Sequence, residues 1–124
     1  MSLSAGDRIA IVELVSTYNH AIDGHEADAW ADTFVADGVF EVTGRDPVEG
    51  RAALVRMVEG QDAGSGVRHW TTNFVVEPEG EGASLRCDLA LLRGAAVLLT
   101  GRYEDSLVRG EDGWRFVRRR CLPD

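Results

Sequence analysis

TYNHAIDGHEADAWADTF, residues 17–34, closes one helical pattern and opens another, with Tyr18 and Asp23 placed on either side of the junction. Upstream, from Asp7 onward, Ile11, Leu14, Val15, Tyr18, Ala21 and Ile22 recur at three- and four-residue steps, while Glu13, Thr17 and His20 fall on the opposite side. That spacing predicts an amphipathic helix with Tyr18 on its buried face. Gly24 follows as a helix-ending residue that tolerates left-handed backbone, and Glu26 and Asp28 suit the first turn of a second helix, where negative charge is favoured. Ala27, Trp30, Ala31 and Phe34 then form a second apolar stripe. Asp23 has two readings: a cap in a tight helical turn, or half of a proton-transfer site.

Working outward, ADG at 36–38 breaks the second helix, VFEV at 39–42 reads as a short strand, and residues 47–60 read as a third helix burying Leu54, Val55 and Val58. The second half differs in kind. Runs at 67–77, 83–93, 97–109 and 114–121 are rich in Val, Leu and aromatic residues, and EPEGEG, RGAA and GEDG separate them as hairpin turns. Helices followed by a meander give an α+β domain with helices on one face of a mainly antiparallel sheet. Strict alternation along 67–77 groups His69, Thr71, Asn73 and Val75 on one face and Trp70, Thr72, Phe74 and Val76 on the other. If the polar face meets the helices, the apolar face needs a second copy of the chain, predicting a dimer or trimer built through the sheet. Arg118–Arg120 reads as an edge or solvated strand end; the second reading has one arginine reaching an acidic substrate group.

Composition narrows the function classes. The 124 residues suit one domain spanning 1–124, and 13 Lys+Arg against 21 Asp+Glu give a formal charge of -8 that repels phosphate backbones and anionic lipids. No nucleic-acid or membrane partner is therefore expected. The apolar runs are far shorter than the roughly 20 residues that span a bilayer, and MSLSAGDR lacks a signal-peptide pattern, which points to the cytoplasm. Cys87 and Cys121 have no CxxC spacing and read as buried free thiols. His25 and Asp28 make only a weak metal pattern, and His20 and His25 are expected to face solvent. Neither a metal nor a cofactor is expected, and there is no phosphate loop and no GxSxG elbow.

The layout, with YNHAIDGHEADAWADTFVADGVF at 18–40, RHWTTN at 68–73, GRYEDSLVR at 101–109 and DGWRFVRR at 112–119, resembles the SnoaL-like branch of the nuclear transport factor 2-like superfamily. The resemblance covers nearly the whole chain. It implies a cone-shaped barrel: three N-terminal helices packed on a curved sheet, with a pocket at the open end. The superfamily includes dehydratases, isomerases, polyketide cyclases and members without activity, so fold alone does not decide function. Tyr18, Asp23 and His69 match the positions where dehydratase-like members carry a tyrosine, an aspartate and a histidine around the substrate, and Asn73 matches a common family position on the His69 strand face. No histidine follows His69, so the second active-site histidine of scytalone dehydratase is missing and a single-histidine dehydratase or isomerase is the closer analogue.

A physical argument for the trio stands beside the resemblance. A carboxylate in the last helical turn faces the negative end of the macrodipole, at a cost of a few tenths to about 1 kcal/mol, and a histidine opposite would compensate. Asp23 would then orient His69 and stabilise its protonated form, leaving the other ring nitrogen to exchange a proton, while Tyr18 donates its hydroxyl to a substrate oxygen. Trp30 and Phe34 read either as core or, in a cone-shaped fold, as substrate-binding residues of the pocket wall. These groups suit a cofactor-independent dehydratase or isomerase acting on a small, apolar, oxygenated ring compound. The alternative is a pocket of the same fold, or an accessory subunit, that binds without turning anything over.

Overall fold

The structure, a computed structural model, describes residues 2–124. Helix α1, Ala5–Asp23, opens on a capping box in which the Ser4 hydroxyl accepts from the Asp7 amide while the Asp7 carboxylate accepts from the Ser4 amide. It buries Ile11, Val15, Tyr18, Ala21 and Ile22, the stripe that the spacing predicts. The short helix α2, Ala27–Ala31, and helix α3, Arg51–Glu59, complete the helical layer.

The sheet comprises β1 (Phe34–Val42), β2 (Val48–Glu49), β3 (Val67–Glu79), β4 (Gly82–Arg93), β5 (Ala96–Gly110) and β6 (Gly113–Pro123), in the order β2-β1-β6-β5-β4-β3. Among the described residues only the β1–β6 pairing is parallel; the others are antiparallel. This is the expected α+β cone, helices on one face of a curved sheet. One core joins α1 and α3 to Leu85, Cys87, Leu89, Tyr103, Leu107, Phe116 and Cys121 on the sheet's inner face.

Several boundaries differ from the sequence expectation. Gly24 does not take up left-handed backbone (φ -84); His25 does, at φ 56, and its Nε2 makes an exposed contact with the Gln61 carbonyl. The second helix stops at Ala31, and Phe34 starts β1, because the Phe116 amide donates to the Thr33 carbonyl and draws the chain into the sheet. Residues 48–49 pair with β1 before α3 begins.

Two corrections bear on the site. A bulge between Thr72 and Val75 places Asn73 at φ 59, so the two-residue alternation breaks there. Phe74 and Val76 turn inward to join His69 and Thr71 against the core, and Val75 joins Trp70 outside. Asn73 therefore does not share the inner face: it is exposed, and its amide donates to Asp88 Oδ2 at 2.8 Å. The second correction concerns the arginine run. β6 lies between β1 and β5, so it is an interior strand, not an edge. Arg118 and Arg120 face outward onto Glu41, while Arg119 faces inward and is 0% exposed.

The bulge yields a direct test. Asn73→Val should destabilise the chain by about 1–3 kcal/mol, since a β-branched residue is strained at positive φ and the Asp88 bond is lost; Asn73→Gly should cost less than half as much. Urea unfolding of both variants measures the difference.

Candidate active site

His69 and Asp23 meet where the C-terminus of α1 crosses β3. Asp23 Oδ1 lies 2.7 Å from His69 Nδ1, and the carboxylate also accepts the His69 backbone N–H at 3.0 and 3.1 Å. One side chain thus fixes both the ring and the backbone of its partner across 46 residues of sequence. The two side chains are only 14% and 18% exposed. Because a carboxylate accepts, Nδ1 carries the proton and Nε2 of the neutral ring keeps its lone pair.

Burial lowers the His69 pKa below the usual 6.5, outweighing the Asp23 hydrogen bond and charge that raise it; the Arg119 cation lowers it further. Asp23 favours the protonated ring, but burial prevails and the neutral ring is the favoured form at pH 7.

His69 borders two hollows. One, of about 270 Å³, exposes Asp23 together with His25, Gln61 and Ser65. The other, of about 420 Å³, is walled chiefly by apolar groups, among them Phe40, Val42, Met57, Leu89, Leu91 and Leu99, with Tyr18, Tyr103 and His69 as polar members and Arg45 and Asp46 also on its lining. A volume of about 420 Å³ falls within the range of small-molecule pockets.

Tyr18 lies deeper than expected. It is 0% exposed, with its ring 5.4 Å from Trp30, 6.0 Å from Tyr103 and 6.5 Å from His69. Among the described residues its hydroxyl and the Trp30 indole N–H both lack a hydrogen-bond partner. Burial pushes the phenol up to about 12, and Arg119, Tyr103 and Trp30 pull it down; the last two are close enough to act but complete no bond. Trp30 and Phe34 do not border the larger hollow. They pack behind Tyr18 as core, so the pocket-wall role expected of them is not where the structure places them. Asn73 is likewise outside it.

Sequence reasoning missed Tyr103 and the pair Arg119–Asp105. Arg119 Cζ lies 3.5 Å from the Tyr103 ring centroid, 4.3 Å from that of Tyr18 and 4.7 Å from that of Phe116. Its Nε is 3.2 Å from Asp105 Oδ1, close enough for ion pairing but not aimed for a hydrogen bond. Burial pushes Asp105 up to about 7 against the pull of Arg119. The inward phase of β5 and β6, Tyr103-x-Asp105-x-Leu107 and Arg119-x-Cys121, was the available signal. Among the described residues no group of three His, Cys, Asp or Glu side chains could hold a metal ion, and no helix is long and apolar enough to cross a membrane.

The chain matches the SnoaL-like domain over residues 4–120. It belongs to that family. An uncharacterized protein of Mycobacterium tuberculosis is 31% identical over 121 residues, covering 91% of this chain and 82% of its own. A nuclear transport factor 2-like protein with a cystatin-like fold from Novosphingobium aromaticivorans superposes with a TM-score of 0.88 at 29% identity, over 95% of this chain and 82% of that one. A Catenulispora acidiphila protein, solved in complex with S-DNPA, gives 0.81 at 29% identity over 98% and 96% of the two chains. SnoaL-like domains form a small-molecule-binding family, and this chain has the cone fold that goes with it.

Asp23→Asn separates a cap from an electrostatic partner. The amide oxygen still accepts from the His69 backbone, so the fold should persist, but the charge that favours imidazolium is gone. The His69 titration midpoint, followed through its ring protons by NMR, should fall below the already lowered wild-type value by about half a unit or more. Superimposable titration curves would reduce Asp23 to a cap.

Proposed function

We propose that this SnoaL-like protein is a cofactor-independent dehydratase or isomerase for a small, apolar, oxygenated ring compound, with His69 as the proton carrier. The observation that carries the reading is the 2.7 Å Asp23–His69 contact, which holds a neutral imidazole beside a largely apolar hollow of about 420 Å³. His69 Nε2 takes a proton from the carbon next to a carbonyl, and the C–H electron pair passes into the ring system to give an enolate. Returning that proton to a different carbon moves the double bond. Delivering it to a departing β-hydroxyl releases water. Asp23 keeps the imidazole in one tautomer and eases its transient positive charge. Tyr103, on the lining of the same hollow, is the phenol available to the developing oxyanion, with the buried Tyr18 packed edge-on to it.

The complex of the Catenulispora relative with S-DNPA supports a ligand-holding role for this fold at 29% identity. A binding-only role is the second reading, favoured by the depth of Tyr18, whose hydroxyl is closed off from solvent. Exchange chemistry separates the two. With β-tetralone in deuterium oxide, wild-type protein should speed hydrogen exchange at the carbon beside the carbonyl, and His69→Gln should cut that acceleration by about 100-fold or more. Equal rates with and without protein would favour binding alone.

Self-association through the outer sheet face is part of the same proposal, on a reduced patch. Phe74 and Val76 point inward, but Trp70 stays 59% exposed and Val75 38% exposed on the outer face. Sedimentation at micromolar concentration should show a dimer or larger species that Trp70→Glu converts to monomer. A monomeric wild type would end this assignment.

A further inference from the structure

Two hollows meet at the Asp23–His69 pair, and a short segment to which the acid-base chemistry gives no role walls one of them. Residues 60–66, GQDAGSG, join α3 to β3, and Gln61, Asp62, Ala63 and Ser65 line the smaller hollow that exposes Asp23. Gln61 also lines the larger hollow, as do Ile22, His69 and Leu91. The segment therefore lies at the boundary between the two.

Its ends are tied and its middle is not. The Gln61 amide donates to the Val58 carbonyl at 3.0 Å, and Arg93 Nε donates to the Ser65 carbonyl at 2.9 Å. Between those ties Asp62 bonds within the segment, its Oδ1 accepting from the Gly64 amide and its carbonyl from the Ser65 amide. Gly60, Gly64 and Gly66, the last at φ 71, give the seven residues a permissive backbone. One contact reaches this stretch from another element: His25 Nε2 lies 3.0 Å from the Gln61 carbonyl and, since a carbonyl only accepts, carries the proton. His25 is half-buried at φ 56, a backbone uncommon outside glycine, and its amide is fixed to the Ile22 carbonyl at 3.1 Å. The same turn thus sends Asp23 to one side of the smaller hollow and His25 to the other.

We propose that residues 60–66 are a lid over the Asp23–His69 pair and that the His25–Gln61 contact is its latch. This rests on the acid-base reading for the importance of the pair and adds what controls access to it. Closed, the lid keeps bulk water from the carboxylate and preserves the low-dielectric setting in which Asp23 acts on the imidazole. Open, it widens the path past Gln61 from one hollow to the other. His25 is a positioning residue, acting on the lid and through it on the pair.

The test needs no ligand. Diethyl pyrocarbonate labels accessible neutral imidazoles, and mass spectrometry of the peptides separates the three histidines. In His25→Gly and His25→Asn, His69 labelling should rise about three- to tenfold over wild type, the population change that loss of one net hydrogen bond produces. Both replacements tolerate positive φ, so the turn is kept. Amide hydrogen exchange at residues 62–64 should quicken by a similar factor. The His69 amide, bonded to Asp23, should exchange as slowly as in wild type, and exposed His20 should label at its wild-type rate.

Unchanged His69 labelling in both variants overturns the lid. So does a rise accompanied by faster exchange of the His69 amide, because the end of α1 has then loosened, or a rise without faster exchange at 62–64. β-Tetralone that shows no His69-dependent exchange with wild type overturns the acid-base reading alone, since labelling measures the lid in the free protein.

Discussion

A positive charge sits deep in a largely apolar core, and much of the inner face is arranged around it. Arg119 projects from β6 into the space beneath α1, its guanidinium against Tyr18, Tyr103 and Phe116, its Nε 3.2 Å from Asp105 and its Nη2 3.7 Å from Cys87 Sγ. Removing one partner of such a pair typically costs about 3–5 kcal/mol, because it strands the other charge, whereas replacing both with apolar residues is often neutral or stabilising. The pair is therefore weak evidence for stability. It is better evidence for register: Asp105 and Arg119 face each other directly across β5 and β6, and a one-residue slip would send one charge out to solvent.

Most of the aromatic residues gather on one side of Tyr18. Trp30, Phe34 and Phe116 close the core on one side of Tyr18, with centroid separations of 5.1 to 6.2 Å. On the other side the inner face carries the shorter side chains Leu89, Leu91, Leu99, Val42 and Cys121, and there the space stays open. Tyr18 and Tyr103 stand at the division. The hollow is therefore bounded by a rigid, partly charged aromatic wall at one end and by the Asp23–His69 pair beside it. Rigidity matters because acid-base groups act only when held near the productive geometry.

Much of this was legible in the sequence, for reasons that can be named. The stripe of α1 has a clean helical period, and a helix with one apolar face must bury it, so Tyr18 was placed inside from spacing alone. Asp23 and His69 were paired by resemblance and by the electrostatics of a helix C-terminus, and the structure brings them to 2.7 Å. The failures share one cause: local pattern was extended past a point where tertiary pairing intervened. Alternation along β3 held from His69 to Thr72 and broke at Asn73, since one left-handed residue reverses every later side chain. Phe34 continued a helical stripe on paper, yet β6 captured the chain at Thr33. Arg119 lay in a basic run that reads as solvated, and only the position of β6 between β1 and β5 makes its inward phase visible.

The reversal at Asn73 also ties the outer surface to the pocket. Because it turns Phe74 and Val76 inward, β3 adds apolar cover to the helix side beyond His69, and Arg8 can donate to the Val76 carbonyl at 2.5 Å. Asn19, buried on α1, meanwhile donates to Thr71 at 3.0 Å, one strand pitch before the bulge. Helix and strand are thus joined at three successive levels: Asp23 to His69, Asn19 to Thr71, and Arg8 to Val76. A strand without the bulge would present Val75 to the helix in place of Phe74 and Val76, and the third junction would fall out of register with the first two. The orientation of the imidazole is therefore a property of the whole α1–β3 contact, with Asp23 as its last and most polar link.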